Sequence, residues 1–205
     1  MHLTVTLVAA ARSSTLLDER FDDDRPLDNA GWSTVQRAAP RLAHLAAAEL
    51  RYCSPTPRSR ATGDALGLTP LAQPALRDCD MGRWRGRTLT EIAAVEPDAV
   101  ERWLGDPRSA PHGGESLLTF IGRTGAWLDT RPQALGCARA GETPLAEGGT
   151  RMVAIAEPSV VRAALVYALK APPSTYWNIE VRPLSTAVVT GHEGRWNLRL
   201  GGSPS

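Results

Sequence analysis

The order of apolar and polar residues along the chain predicts several strands separated by helices. Residues 2–9, HLTVTLVA, alternate and then become continuously apolar, which predicts a strand that enters a core. Further strand patterns follow at residues 50–54, at residues 151–157 and, as two or three short strands, within residues 179–200. In the last of these regions Gly191 and Gly194 are predicted to form a turn.

Helical spacing of apolar residues fills much of the chain between these strands. The first predicted helix starts after Gly31, with a break at Pro40, and the second runs from the prolines at positions 55 and 57 to Leu66. Residues 88–105 are predicted to be helical with a division near Pro97. Two more helices are predicted, one that starts near Glu115 and one over residues 158–170, with Pro158 in its first turn. The glycine and proline content of residues 132–150 predicts a loop.

The alternation of strands and helices predicts the fold class. It indicates an α/β protein with a mostly parallel central sheet, flanked by helices on both faces as a three-layer sandwich. We expect a single domain over residues 1–200 and a flexible tail over residues 201–205.

Composition narrows the classes of function. Apolar residues make up 42% of the 205 residues and the net charge is +1, so we expect neither nucleic acid nor a membrane as a partner. No apolar stretch approaches the length of a membrane span, and the first strand lacks the basic start of a signal peptide. Cys53, Cys79 and Cys137 are widely spaced, which argues against a disulfide framework or a zinc site and fits a reducing cytoplasm.

Ligands of parallel sheets bind beyond the carboxyl ends of the strands, so the loops at those ends are the candidate site. These loops are residues 9–15, 54–60 and 156–160, and residues 76–86 form a fourth irregular segment that is rich in charge. The first loop opens with three alanines, Ala9, Ala10 and Ala11, at a position where such a fold usually places reactive groups.

Five segments, in order, resemble the histidine phosphatase superfamily, which includes the phosphoglycerate-mutase-like enzymes. They are PLDNAGWSTVQ at 26–36, SPTPRSRAT at 54–62, LRDCDMGRWRG at 76–86, PHGGES at 111–116 and VAIAEPSVVRAAL at 153–165. The resemblance covers nearly the whole chain and implies a phosphoglycerate-mutase-like fold. It places the phosphate-binding arginine of the family on Arg58 and the family's acidic residue on Asp78.

The departures from this family pattern concern the two histidines that carry its chemistry. The resemblance places the nucleophilic histidine on Ala10 and the second histidine on Glu157. A methyl group has no lone pair with which to attack phosphorus, so we expect no turnover through a phosphohistidine. The resemblance also implies a site that needs no metal and no cofactor.

Glu157 supports two compatible interpretations. It precedes Pro158 at a predicted helix start, where a carboxylate can cap the helix and interact with its dipole. It can also occupy the phosphate position with its own carboxylate, with Arg58 paired to it internally. Asp78 and Glu157 are the candidate catalytic residues, and the candidate ligand contacts are Arg58, Arg12, Ser13, Ala10 and His112.

Three functions remain open from the sequence. The chain is a non-catalytic scaffold or a protein that binds a small polar metabolite, phosphorylated or not, or it is a repurposed enzyme in which Asp78 and Glu157 act as acid and base. The third is a phosphomonoester phosphatase whose nucleophile has been mutated. Glu157 argues against the third, because one change at residue 10 cannot explain two missing histidines. A homodimer is compatible with such a sheet, but no sequence pattern specifies it.

Overall fold

A computed structural model describes residues 2–12, 20–21, 24–138 and 149–200 of the chain, with the backbone alone for residues 131–138. The predicted flexible tail, residues 201–205, and the candidate ligand contact Ser13 lie outside the described residues.

Within the described residues, six strands form a single sheet. They are β1 (Leu3–Ala9), β2 (Leu50–Cys53), β3 (Leu71–Ala72), β4 (Thr150–Ala156), β5 (Thr186–His192) and β6 (Arg195–Arg199). Their order across the sheet is β3-β2-β4-β1-β5-β6. Neighbours from β3 to β1 are parallel, whereas β5 is antiparallel to both β1 and β6. The prediction of a mostly parallel sheet is therefore confirmed, with an antiparallel hairpin at one edge.

Helices cover both faces of this sheet, as the sequence predicts. They are α1 (Asn29–Leu42), α2 (Pro57–Ala65), α3 (Leu89–Ala93), α4 (Pro97–Gly105), α5 (Leu117–Ala138) and α6 (Pro158–Ala168). One apolar cluster packs α5 and α6 against the face of β1 that carries Leu3, Val5 and Leu7. A second cluster packs α1 against the opposite face through Val8, Val153 and other residues.

Two local predictions need correction, and one strand has no counterpart among the predictions. Helix α5 continues to Ala138, so the predicted loop over residues 132–150 starts too early. Each residue other than proline that extends an existing helix adds one backbone hydrogen bond, and α5 continues through Pro132. Gly191 lies within β5 and not in the turn, since it pairs with Trp196 of β6, and a Cβ there would lie 2.0 Å from the carbonyl oxygen of Arg195. The short strand β3 has no alternating pattern that could have predicted it.

Asp129 of α5 fixes the edge hairpin to the helices. Its carboxylate accepts hydrogen bonds from the backbone N–H of Gly194 (3.0 Å), from Nε1 of Trp196 (2.8 Å) and from the hydroxyl of Tyr167. Burial raises the pKa of the Asp129 carboxyl, but these three hydrogen bonds outweigh it and the pKa lies below its ordinary value. The ionised carboxylate is therefore the form that joins α5, α6 and the hairpin.

Asp129→Asn is expected to lower the free energy of unfolding by about 1–2 kcal/mol at pH 7, because the charge-assisted bonds are weakened. The lowered folded-state pKa means that the charge stabilises the fold above pH 3.8 and ceases to do so as the pH falls through the folded value. Urea unfolding of the native chain and the variant should therefore converge in acid. Glu101→Gln removes an exposed acid of α4 and should change little at any pH. A difference for Asp129→Asn that grows on acidification would contradict this assignment.

Candidate functional site

The carboxyl ends of three neighbouring strands meet at one edge of the sheet. Ala9 of β1 pairs with Ala156 of β4, and the backbone N–H of Ala10 donates to the carbonyl of Ala156 at 2.8 Å. On the other side of β4, the N–H of Ser54 donates to the carbonyl of Ile155 at 2.8 Å. Ala10 and Glu157 therefore leave adjacent strands side by side, as the sequence analysis expects of this edge.

The alanines after β1 are packed inside the protein. Ala10 is 2% exposed, and Ala10 and Ala11 both belong to the apolar cluster beneath α1. The backbone N–H of Ala11 donates to Oγ1 of Thr62 in α2 at 3.1 Å. The segment that follows β1 is therefore packed against α2.

The side chain of Glu157 does not cap α6, although the residue stands at the N-cap position. The helix is started by the carbonyl of Glu157, which accepts from the N–H groups of Val160 (3.0 Å) and Val161 (3.2 Å). This corrects the capping interpretation. The carboxylate is instead 2% exposed and turns away from its own helix, toward α2.

Hydroxyl groups at the start of α2 bind the Glu157 carboxylate. Its Oε1 accepts from Oγ1 of Thr56 and from Oγ of Ser59, the latter at 2.9 Å. Its Oε2 is buried and accepts no hydrogen bond from the described part of the chain. The carboxyl group is thus held at the amino end of α2, the end of a helix that favours anions.

Arg58 lies in the same first turn of α2. The turn forms because Thr56 caps it, with its Oγ1 accepting from the N–H of Ser59 at 3.3 Å, and because Pro57 fixes the first helical φ. Arg58 is half-buried. Within the described residues its guanidinium forms no ion pair with Glu157, so the predicted internal pairing is wrong. The two hydroxyls already solvate the bonded carboxylate oxygen.

The carboxylate of Asp78 lies at the start of α6, whereas that of Glu157 lies at the start of α2. Oδ1 of Asp78 accepts from the backbone N–H of Cys79 at 2.7 Å and from Oγ of Ser159. Ser159 lies in the first turn of α6, two residues after Glu157. The structure therefore brings Asp78 and Glu157 to one region, where each carboxylate is bound by its own hydroxyl donors.

A polar cavity of about 550 Å³ opens beside Asp78. Its lining comes from two loops and from α5, and consists of Pro74, Arg77, Asp78, Asp80, Ala110, Gly113, Gly114, Glu115, Ser116, Thr119 and Arg123. The volume lies within the range of small-molecule sites. Glu157 and Ala10 are not part of this lining.

An ion pair that the sequence analysis missed holds the wall of the cavity. Arg123 binds Glu115 through two hydrogen bonds, Nε to Oε1 at 2.9 Å and Nη2 to Oε2 at 2.7 Å. The same guanidinium donates to the backbone carbonyls of Ala75, Arg77 and Asp78. Arg123 thus fixes the segment that carries Asp78. Its carbonyl partners lie more than 40 residues away in the chain, so no local pattern could have identified it.

The other candidate ligand contacts have different outcomes. His112 is 2% exposed and packs on Trp84 behind the cavity wall, so its side chain is not among the lining groups. Arg12 is partly exposed just after the buried alanines, and its role as a ligand contact stays a prediction. Burial raises the pKa of the Cys79 thiol, as expected of a small packed residue and not of a nucleophile.

The remaining histidines are exposed: His2, His44 and His192. The described residues contain no group of three or more histidine, cysteine, aspartate or glutamate side chains that could bind a metal ion. Among the helices that the structure describes, none has the length and apolar character needed to cross a membrane.

Comparisons with known proteins agree with this architecture. Residues 18–203 match the sequence profile of the histidine phosphatase superfamily (branch 1). A bifunctional protein of Mycobacterium tuberculosis is 35% identical over 101 residues, which is 47% of this chain and 28% of the relative. A glucosyl-3-phosphoglycerate phosphatase of Mycolicibacterium vanbaalenii is 39% identical over 64 residues, or 31% of this chain and 28% of the relative. The matches thus span little more than a quarter of either curated relative.

A solved structure of a mycobacterial glucosyl-3-phosphoglycerate phosphatase superposes with a TM-score of 0.77 over 97% of both chains. Its sequence identity is 22%, so the likeness concerns the fold. The sheet order, the helices on both faces and the profile match over most of the chain lead to one conclusion: this protein belongs to the histidine phosphatase superfamily.

Proposed function

We propose that this member of the superfamily has lost phosphohistidine chemistry and binds a small polar metabolite without hydrolysing it. In this proposal the positions that the family resemblance gives to the two histidines are Ala10 and Glu157. Their adjacent location, at the ends of the paired strands β1 and β4, supports that equivalence.

Ala10 supplies no group that could form a covalent phosphoryl intermediate. His2, His44 and His192 are exposed, and His112 is buried against Trp84. Loss of a nucleophile commonly reduces kcat by several orders of magnitude, and what remains is about 10³-fold catalysis from binding and electrostatics. A slow background reaction is the most that this chemistry allows.

The observation that carries the proposal is the buried carboxylate of Glu157 on the hydroxyls of Thr56 and Ser59. These donors stand in the turn that also contains Arg58, where the resemblance locates the phosphate. A carboxylate there takes the hydrogen bonds that an oxyanion would need, and its charge repels a dianionic phosphate. The protein in effect supplies its own anion.

We place the bound metabolite in the cavity beside Asp78. Arginines, carboxylates and hydroxyls line it, which suits a polar ligand that exchanges hydrogen bonds with the walls. Two relatives are named glucosyl-3-phosphoglycerate phosphatase, and the ligand proposed here shares only the polar character of such metabolites. The alternative of acid–base catalysis by Asp78 and Glu157 gains no support, because Glu157 is buried outside this lining. A cytoplasmic location, as expected from the cysteines, belongs to the proposal.

Release of inorganic phosphate from p-nitrophenyl phosphate and from a panel of phosphomonoesters tests the proposal. The native chain is expected to match the buffer background, and Arg58→Ala is expected to change nothing. An active phosphatase of the same superfamily serves as the positive control. Turnover at an ordinary enzymatic rate that disappears in Arg58→Ala, or a phosphohistidine trapped on the native chain, would refute it.

A further inference from the structure

His112 combines complete burial with a hydrogen bond that depends on its protonation state. Its Nδ1 accepts the backbone N–H of Gly114 at 3.0 Å, so the neutral ring carries its proton on Nε2. Nε2 is buried and has no hydrogen-bond partner among the described residues. The ring lies against Trp84, with 5.1 Å between the ring centroids.

The backbone that His112 fixes forms part of the cavity wall. Gly114 is a lining residue of the cavity, as are its neighbours Gly113 and Glu115. The N–H of Glu115 donates to the carbonyl of Asp80 at 2.7 Å, and the N–H of Arg83 donates to the carbonyl of His112 at 3.0 Å. The loop around His112 and the segment after Asp78 are therefore joined directly.

The two segments approach so closely that Gly114 has no room to move toward its neighbour. A Cβ built on Gly114 would lie 2.1 Å from the carbonyl oxygen of Asp80 and 2.7 Å from the backbone nitrogen of Gly82. A change at the Gly114 N–H therefore acts on a loop that is packed tightly against the segment that carries Asp80. The cavity between them would change its shape.

We propose that His112 is a positioning residue whose protonation reshapes the cavity beside Asp78. This inference rests on the proposed function in one respect, that the cavity is where the metabolite binds. A proton taken from solvent at Nδ1 turns that atom from an acceptor into a donor. It then faces the donating N–H of Gly114, and their hydrogen bond is lost.

The charged groups that face His112 come from the segment packed against it. Burial is the largest influence on the pKa of His112 and lowers it, because burial disfavours the charged ring. Asp80 raises this pKa and Arg83 lowers it, and the net effect is a lowered pKa. Arg83 is itself engaged by Glu96 and by the carbonyl of Pro111. A lowered folded-state pKa means that the neutral ring stabilises the loop fully above pH 6.5. That stabilisation is lost as the pH falls through the folded value.

The test is a titration of the ligand-free protein by NMR, with the amides of Gly113, Gly114 and Glu115 as reporters. In the native chain these amides are expected to shift together with the His112 ring, at a midpoint below pH 6.5. In His112→Asn the side-chain Oδ1 can accept from Gly114 but does not titrate in this range, so the shared transition should disappear. His44→Asn removes an exposed histidine and should leave the transition unchanged.

Three results would overturn the inference: persistence of the transition in His112→Asn, titration of His112 without movement of the three amides, or a ring that remains neutral down to the acid unfolding of the chain. If His112→Asn does not fold, the ¹⁵N shifts of Nδ1 and Nε2 in the native ring still show which nitrogen carries the proton and whether it titrates with Gly114. None of these readings involves phosphate release. A failure here is thus distinct from a failure of the proposed function.

Discussion

Glu157→Ala is expected to lose about 3 kcal/mol of unfolding free energy and to recover most of it when inorganic phosphate is added. The substitution leaves the buried hydroxyls of Thr56 and Ser59 without their acceptor, at about 1–3 kcal/mol for each unsatisfied group. It also removes the negative charge next to Arg58. Phosphate can then replace the missing carboxylate, and an anion present at about 100 times its Kd restores about 2.7 kcal/mol.

Thermal unfolding at matched ionic strength, in chloride and in phosphate, measures this rescue. The native chain should show no shift that is specific to phosphate. Glu157→Gln keeps the acceptor Oε1 and the volume of the side chain but weakens its hydrogen bonds, so it should lose only about 1 kcal/mol and, like the native chain, show no shift that is specific to phosphate. Asp64→Ala removes an exposed acid from the same helix and should likewise show no phosphate effect. If phosphate stabilises Glu157→Ala no more than Asp64→Ala, the start of α2 is not an anion site.

Gly125→Ala is expected to cost about 3 kcal/mol, which in a chain of this size lowers Tm by about 6–12 °C. A Cβ at Gly125 would lie 2.1 Å from Cδ2 of Tyr167, within the contact between α5 and α6. The ring cannot swing aside freely, because its hydroxyl is bound by Asp129. The clash must instead separate the two helices or break that hydrogen bond.

Gly122 provides the matched control within the same helix. A Cβ there meets nothing within 4 Å, so Gly122→Ala gains only helix propensity and should raise the stability by about 1 kcal/mol. Differential scanning calorimetry of both variants gives the comparison. Adding Gly125→Ala to a Tyr167→Ala background should cost much less than adding it to the native chain. Equal costs in the two backgrounds would show that the ring is not the obstacle.

The sequence predicts the fold because the signals involved are local. The alternation in HLTVTLVA, the apolar run before Glu157 and the proline at the start of α6 each act within a few residues, and the strand ends meet as expected. The short strand β3 and the end of α5 escape prediction for the converse reason. Both depend on neighbours that the local pattern does not contain.

The candidate site is predictable in position but not in the direction of its side chains. Local reasoning predicts that Glu157 caps its own helix, yet the residues that bind its carboxylate, Ser59 and Thr56, are 98 and 101 residues distant in sequence. The family motif locates Arg58. It does not show that Arg58 and Glu157 are unpaired, because that depends on the hydroxyl groups that bind the Glu157 carboxylate. His112 is singled out by its loop, and only packing on Trp84 shows that it stands behind the wall.

The Glu157 carboxylate is part of the chain and is already hydrogen-bonded to the hydroxyls at the start of α2, which has a consequence for ligand screening. A group carried by the chain competes for these hydroxyls intramolecularly, and its ordering entropy is already spent in folding the chain. Screens that detect binders by stabilisation with phosphate, sulfate or vanadate will therefore find no anion bound at the start of α2. Ligands are better sought among polar compounds that fill the separate cavity beside Asp78.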